Sequence, residues 1–340
     1  MPLSIRSLAI RAARTAGAAL LPVGTLMLLA TVTAPGLAAQ TPARPSTGSP
    51  AGVIRTADPA KRGVALSEFP RFVKLADGVY GYEEIRAPGF TTVSLVVIGR
   101  NGVLVADGQG SMPATTTMLE RIRTLTPLPV KWYVMGSDHG DHTAGNSVLP
   151  KDITYIVHPT SRAQLQRDSA GAGAGRVVVV PPRAMTSDHE TVDIGGRAVH
   201  VRFLGRAHTG GDLMVHLPEQ GILFMSEAYL NRVFPAMRSA YPTEWVATVD
   251  RALALKDVST FVPGHGFIES AAVSREELVA FRDALVAVNA EVKRLHGLGL
   301  SAEDAVKQAQ WGQYAEWFLA GQQAAVAVRR GYEELAGKLK

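Results

Sequence analysis

Two histidines and two aspartates lie within the five residues from Asp138 to His142. The chain has no cysteine, so a metal ion must be bound through His, Asp or Glu. Imidazole nitrogen and carboxylate oxygen are common zinc ligands. The preceding run Val130–Met135 is short, β-branched and aromatic, which predicts a buried strand that ends in this loop. We therefore predict a metal site; the alternative is a polar loop whose side chains only hydrogen-bond each other.

Further polar residues follow other predicted strands. His208 lies in the glycine-containing loop 205–212, Glu227 follows a strand at 221–225, and His265 follows a strand at 260–262. Loops that follow strands often meet at one edge of a sheet and form a site there. These residues are therefore candidates for the same metal site.

The elements that would position these residues alternate between short strands and helices. Two sets of strand-like runs are separated by helical patterns, and Asn101-Gly102 between two apolar runs is a hairpin signal. This order predicts an α/β fold. The predicted strands are 72–75, 79–82, 92–98, 102–107, 130–135, 153–157, 177–180, 191–194, 198–203, 213–217, 221–225 and 260–262, and the predicted helices are 112–125, 160–167, 243–255, 274–295 and 301–339.

In their order and strand context, these residues resemble the metallo-β-lactamase superfamily over roughly 72–270. The signature of that superfamily is His-x-His-x-Asp-His, then a lone His, a bridging acid and a final Gly-His. The matching positions here are Ser137, His139, Asp141, His142, His208, Glu227 and His265. The resemblance implies an αββα sandwich of two mixed sheets with the metal site at one edge. Asp107 resembles the buried aspartate of the family that orients a liganding histidine or its loop; the alternative is an ordinary turn aspartate.

Two positions depart from the signature. Ser137 stands where the first histidine is expected, and Glu227 replaces the bridging aspartate. The resemblance implies one metal position at Asp141, His142 and His265, with three protein ligands as in a catalytic zinc site. The other position keeps His139 and His208 but has only a serine hydroxyl, a poor zinc ligand, as its third group. We therefore expect one tightly held Zn²⁺ and a weaker second ion, with Asp138 or water completing the weaker position and Glu227 reaching either or both. Iron and manganese remain open, because imidazole and carboxylate suit them too.

The implied activity is that of a metal-dependent hydrolase. Bound zinc lowers the pKa of water toward about 7, so a metal-bound hydroxide could attack an ester, lactone, thioester or amide, with a β-lactam as one candidate. Asp141 would both bind the metal and orient the water. Thioesterase and alkylsulfatase chemistry remain open. The alternative function is a metal-binding or scaffold protein of the same fold without catalysis, which Ser137 favours. Tyr229, Asn231 and Arg232 are more readily read as ordinary loop residues than as pocket residues.

The rest of the sequence predicts an exported protein with four parts. Residues 1–39 have three arginines, an apolar run and a small-residue end, typical of a signal peptide with cleavage near Ala38 or Ala39, and they suggest a periplasmic or secreted location without a stable membrane anchor. Residues 40–62 predict a disordered linker, 63–272 the metal-binding domain and 273–340 C-terminal helices. Without the three leader arginines the net charge of +5 falls to +2. No dense basic tract occurs, so we expect a small-molecule substrate and no nucleic acid.

Overall fold

In the computed structural model, residues 54–173 and 175–339 are described, and they form two mixed β-sheets flanked by helices. The predicted signal peptide and residues 40–53 of the predicted linker lie outside these ranges. The first sheet has the strand order β1-β2-β3-β4-β5-β6 and contains β1 (Arg71–Ala76), β2 (Val79–Arg86), β3 (Phe90–Ile98), β4 (Val103–Ala106), β5 (Val130–Val134) and β6 (Thr154–Ile156). The second has the order β11-β10-β9-β8-β7 and contains β7 (His189–Asp193), β8 (Ala198–Arg202), β9 (Met214–Leu217), β10 (Ile222–Phe224) and β11 (Thr260–Val262).

The helices connect the strands and cover the outer faces of the sheets. They are α1 (Pro59–Arg62), α2 (Met112–Leu125), α3 (Gly140–Thr143), α4 (Pro159–Ala170), α5 (Pro242–Leu253), α6 (Ala271–Gly297), α7 (Ala302–Gln308) and α8 (Ala320–Leu335). Short 3-10 turns occur at Leu66–Glu68, Asn146–Val148, Pro218–Gln220, Ser226–Ala228 and Gly312–Glu316. Within the described residues, no helix has both the length and the apolarity needed to cross a membrane.

Alternating side chains place the two sheets face to face. On β3, Leu95 packs in the cluster that also contains Val215 and Phe224 of the second sheet. Its neighbour Val96 points the opposite way, into a cluster with Met118 of α2. This period of two is what a strand requires when both of its faces are covered. On the far side of the second sheet, a third cluster joins its strands to α5 and α6. The predicted αββα sandwich is therefore confirmed.

The loops that carry the candidate residues meet because several neighbouring strands run parallel. β4 pairs with β5, and β10 with β11, in parallel, so the carboxyl ends of each pair lie at the same edge. Backbone hydrogen bonds then join the two sheets at that edge. The amide of Leu213 donates to Gly136 O over 2.9 Å, and the amide of Val93 donates to Gly264 O over 2.8 Å. The edge of the sandwich is therefore fixed by main-chain contacts as well as by the core.

The predicted linker is folded in its last nine residues, 54–62. Asp58 accepts hydrogen bonds from the first turn of α1, and Ala57 is fully buried. Arg62 forms a two-bond ion pair with Glu269, at 2.6 and 3.0 Å. The composition of this segment suggested disorder because its partners lie about two hundred positions away along the chain.

Two other predicted elements differ from the structure. Residues 177–180 were predicted as a strand but form none, and the prolines at 181 and 182, which lack an amide hydrogen, follow them directly. Val178 and Val180 still pack against the cluster under α2 and α4. The single helix predicted at 301–339 is divided into α7, a 3-10 turn and α8.

We predict that the Arg62 ion pair stabilises the sandwich, because both side chains are largely buried, with 12% and 9% exposed. In Arg62→Met the carboxylate of Glu269 loses its partner, and the free energy of unfolding should fall by about 3 kcal/mol. Urea denaturation of the two proteins measures this difference. Arg294→Met, which removes an exposed pair with Glu291, is the matched control and should change stability little. Equal effects of the two substitutions would contradict the prediction.

Candidate metal centre

The carboxylate of Glu227 lies at the centre of the candidate site. It begins a 3-10 turn directly after β10 and is 3% exposed. Its Oε2 atom is 2.9 Å from His139 Nδ1, and its Oε1 atom is 3.1 Å from His208 Nε2 and 3.2 Å from His265 Nε2. One acidic side chain therefore contacts histidines from three separate loops.

His139, His208 and Glu227 form the first group of donor atoms. His139 Nδ1 and His208 Nε2 are 3.0 Å apart, and each lies about as far from the carboxylate. Donors around a tetrahedral zinc ion with bonds of about 2.1 Å are themselves roughly 3.4 Å apart. The triangle of two imidazole nitrogens and one carboxylate therefore has the chemistry and nearly the dimensions of a zinc site.

Asp141, His142, His265 and Glu227 form the second group. His265 Nε2 is 3.0 Å from Asp141 Oδ2 and 3.2 Å from His142 Nε2. His142 Nε2 lies 4.0 Å from Asp141 and 3.8 Å from Glu227. All four donor atoms lie within 4.8 Å of one another, which fits a single ion with four protein ligands. The structure thus brings together all six histidine and carboxylate positions predicted from the sequence.

Contacts behind the histidines fix their orientation. His265 Nδ1 is 2.8 Å from the carbonyl oxygen of Thr91, so it can donate a proton there and leave Nε2 to face the site. His142 Nδ1 is 3.0 Å from Asp107 Oδ2. Asp107 also accepts hydrogen bonds from the amides of Gly136 and Ser137, at 2.7 and 3.3 Å. These contacts fit the orienting role that the resemblance implied for Asp107.

Ser137 contacts the central carboxylate. Its hydroxyl donates to Glu227 Oε2 over 2.5 Å and accepts from the amide of His139 over 3.3 Å. The side chain is fully buried. A histidine at this position would offer a third imidazole to the first group, whereas the shorter hydroxyl holds Glu227 in place and leaves that group with three donors.

The charges of the site offset each other. Burial alone would raise the pKa of Glu227, but the imidazoles of His208, His139 and His142 outweigh it and hold that pKa well below its usual range. Burial would lower the pKa of His139 and His265, but their carboxylate neighbours outweigh it and raise each pKa to about 9. Burial does lower the pKa of His208. Without a metal, the site therefore pairs an ionised carboxylate with protonated imidazoles, and a cation must displace those protons to bind.

Arg86 and Ser239 belong to the site, although the sequence analysis did not identify them. Arg86, at the end of β2, donates to Asp141 Oδ2 over 2.9 Å. Ser239 Oγ is 3.2 Å from His139 Nε2. Neither residue lies in a recognisable motif, so only the fold reveals them. By contrast, Asn231 and Arg232 make structural contacts elsewhere, with Phe267 O and Glu277, and Tyr229 packs on Phe281.

The donor atoms open into a pocket of about 340 Å³. Its floor includes His139, Asp141, Glu227 and His265, and Arg86 lies at its side. Apolar side chains line the rest of the wall: Phe90, Leu230, Val233, Ala236, Leu319 and Val326. The volume suits a small organic molecule whose apolar part packs against this wall.

Known proteins share this architecture. A type 2 metallo-β-lactamase of Bacteroides fragilis is 23% identical over 215 residues, which cover 61% of this chain and 83% of the relative. The solved metallo-β-lactamase from Pontibacter korlensis is 20% identical with a TM-score of 0.55, and the match covers 63% of this chain and 98% of that chain. The stereoselective inverting sec-alkylsulfatase from Pseudomonas sp. is 13% identical with a TM-score of 0.62, over 78% of this chain and half of that enzyme. No family model matches the chain.

These similarities, together with the αββα sandwich and the donor groups at its edge, define the class of the protein. The chain belongs to the metallo-β-lactamase superfamily. Its structural neighbours include both β-lactamases and alkylsulfatases, so the fold by itself does not select a substrate.

We predict that Gly264 is required for the position of Glu227. A Cβ atom at residue 264 would lie 2.4 Å from the backbone carbon of Ser226 and 2.7 Å from the amide nitrogen of Glu227. Gly264→Ala should therefore displace the central carboxylate and weaken zinc binding roughly 10-fold to 100-fold, the range seen when supporting contacts of a metal site are lost. Competition with a chelator measures the affinity. Gly140→Ala is the matched control, because its Cβ would meet no atom within 4 Å. Unchanged affinity in Gly264→Ala would contradict the prediction.

We also predict that the stability of the metal-free protein depends on pH through the site. The raised pKa values of His139 and His265 mean that their ion pairs contribute fully below about pH 6.5 and are lost as the pH rises toward about 9. Urea unfolding of chelator-treated protein at pH 6.5, 7.5 and 9 should show falling stability. The decline should be smaller in Glu227→Gln, which lacks the negative charge that raises both pKa values. A stability that rises over this interval would refute the assignment of the charges.

Proposed function

We propose that the chain is a metal-dependent hydrolase with zinc as the natural ion. The observation that carries the proposal is the shared position of Glu227, whose carboxylate contacts both donor groups where they open into the pocket. A buried carboxylate and four imidazoles at about 3 Å form a donor set suited to divalent cations.

The residues of the pocket have distinct roles in the proposed reaction. A divalent cation bound there would supply a lowered pKa for a water molecule and polarise an acyl or sulfate oxygen. Asp141 keeps 17% of its side chain exposed in the pocket, so its carboxylate can orient the attacking water and accept its proton. Arg86 holds Asp141 Oδ2 and keeps that carboxylate directed at the site.

The two donor groups are unequal, and we propose that one ion binds more tightly than the other. The group around Asp141, His142 and His265 has four donors with Glu227, whereas the group of His139 and His208 has three. Titration of the metal-free chain with Zn²⁺ should resolve a tight and a weak site. Ser137→His, which restores a third imidazole, should strengthen the weak one. Two equally tight sites in the unmodified protein would contradict this proposal.

Substrate hydrolysis is the direct test of the function. Zinc-loaded protein should hydrolyse at least one member of a panel of esters, lactones, thioesters, β-lactams and alkyl sulfates. Asp141→Asn should reduce kcat by roughly 10²–10⁴-fold, because it removes a group that moves a proton. Asp283→Asn, on an exposed position of α6, is the control and should retain activity.

A metal-binding protein without catalysis is the second candidate, and Ser137 is the observation that favours it. Its hydroxyl takes the place of one expected ligand and leaves the first group with three donors. Zinc binding with no turnover of any panel member would select this candidate over the hydrolase.

We further propose that the protein is exported. The order of charged, apolar and small residues in 1–39 supports this proposal. Sequencing the N-terminus of protein from the periplasm should find a chain that begins near residue 39 or 40.

A further inference from the structure

A second cavity lies beside the metal pocket, on the side of His139. Its volume is about 490 Å³, and it shares His139 and Arg238 with the metal pocket. Ser239, next to Arg238 in the chain, contacts the outer nitrogen of His139. The two cavities therefore adjoin at the metal centre, and one molecule can occupy both.

The second cavity is rich in positive charge. Four arginines and two aspartates line it: Arg167, Arg176, Arg238, Arg330, Asp138 and Asp168. We call it the arginine cavity.

The arginines differ in whether another protein group satisfies them. Arg330 pairs with Glu333, and Arg167 donates only to the neutral side chain of Gln164. Among the described residues, Arg238 and Arg176 have no ion pair and no side-chain hydrogen bond. Arg238 is thus an unpaired guanidinium at the junction of the two cavities, and a planar guanidinium binds carboxylate or sulfate oxygens with two parallel hydrogen bonds.

We propose that the arginine cavity binds the carboxylate or sulfate group of an organic anion through Arg238, while the apolar part and the reacting bond of the same molecule lie in the metal pocket. This inference rests on the proposed hydrolase function. The apolar wall of Leu230, Val233, Leu319 and Val326 accommodates the carbon skeleton. The substrate class is therefore an amphipathic organic anion, since a neutral substrate would leave the guanidinium of Arg238 without a partner.

Anion binding can be tested without turnover. The thermal unfolding of the full chain is followed against sulfate and against propionate at constant ionic strength, with and without added zinc. At least one anion should raise the Tm in a saturable way, and whichever binds tighter identifies the group that is preferred. Arg238→Gln should raise the half-saturating concentration by about tenfold or more, as expected for the loss of a charged hydrogen bond. Arg294→Gln, an exposed arginine on α6, is the control and should behave as the unmodified protein.

Kinetics with paired substrates provide the second arm. Two esters with the same leaving group are compared, one with a carboxylate at the far end of the acyl chain and one with a methyl group there. Arg238→Gln should lower kcat/KM for the charged ester by about tenfold or more, mainly through KM, and change the neutral ester less than about twofold.

The outcomes separate this inference from the proposed function. An anion effect that is the same in Arg238→Gln and in the unmodified protein overturns the inference, as does equal loss for both esters. If neither ester is hydrolysed but the anion effect depends on Arg238, the cavity is an anion site and the hydrolase proposal is the part that fails.

Discussion

A buried carboxylate is tolerated only when opposite charges or hydrogen-bond donors surround it, and in this protein Glu227 sets that requirement. Its partners come from the loops after β5, β9 and β11, and Ser137 adds a hydroxyl hydrogen bond. Because these loops are far apart in the chain, the charge is compensated only in the folded state. The site therefore depends on the assembly of the whole sandwich edge.

The close packing at that edge explains its glycines. A side chain on Gly136 would bring its Cβ to 2.5 Å from the Cβ of Ser226, and one on Gly264 would meet the backbone of the same turn. Loops from both sheets thus meet at the turn that carries Glu227. The absence of side chains at these two positions lets the loop with His139 and the loop with His265 approach the carboxylate together.

The sequence allowed prediction of what depends on local pattern. Alternating apolar residues defined the strands, and the helix predicted at 112–125 has the same bounds in the structure. The six His and acidic positions were identified because each follows a predicted strand and matches a family motif. Arg86 and the folded segment 54–62 were not identified, because their roles come from partners 55 and more than two hundred positions away. The bond between Ser137 and Glu227 was missed for the same reason: the sequence showed a missing ligand, and the structure shows a hydroxyl that holds the bridging acid.

The C-terminal helices contribute to the pocket in a way that the sequence analysis did not predict. They lie beyond the region that carries the superfamily pattern, yet Leu319 and Val326 form part of the wall opposite the donor groups. Phe318 packs on Phe90, whose ring also lies against His265. The metal groups come from the shared sandwich, whereas part of the wall comes from this addition. Chemistry and substrate choice are therefore encoded in different parts of the chain, which is why proteins with this fold can keep one donor set and act on different molecules.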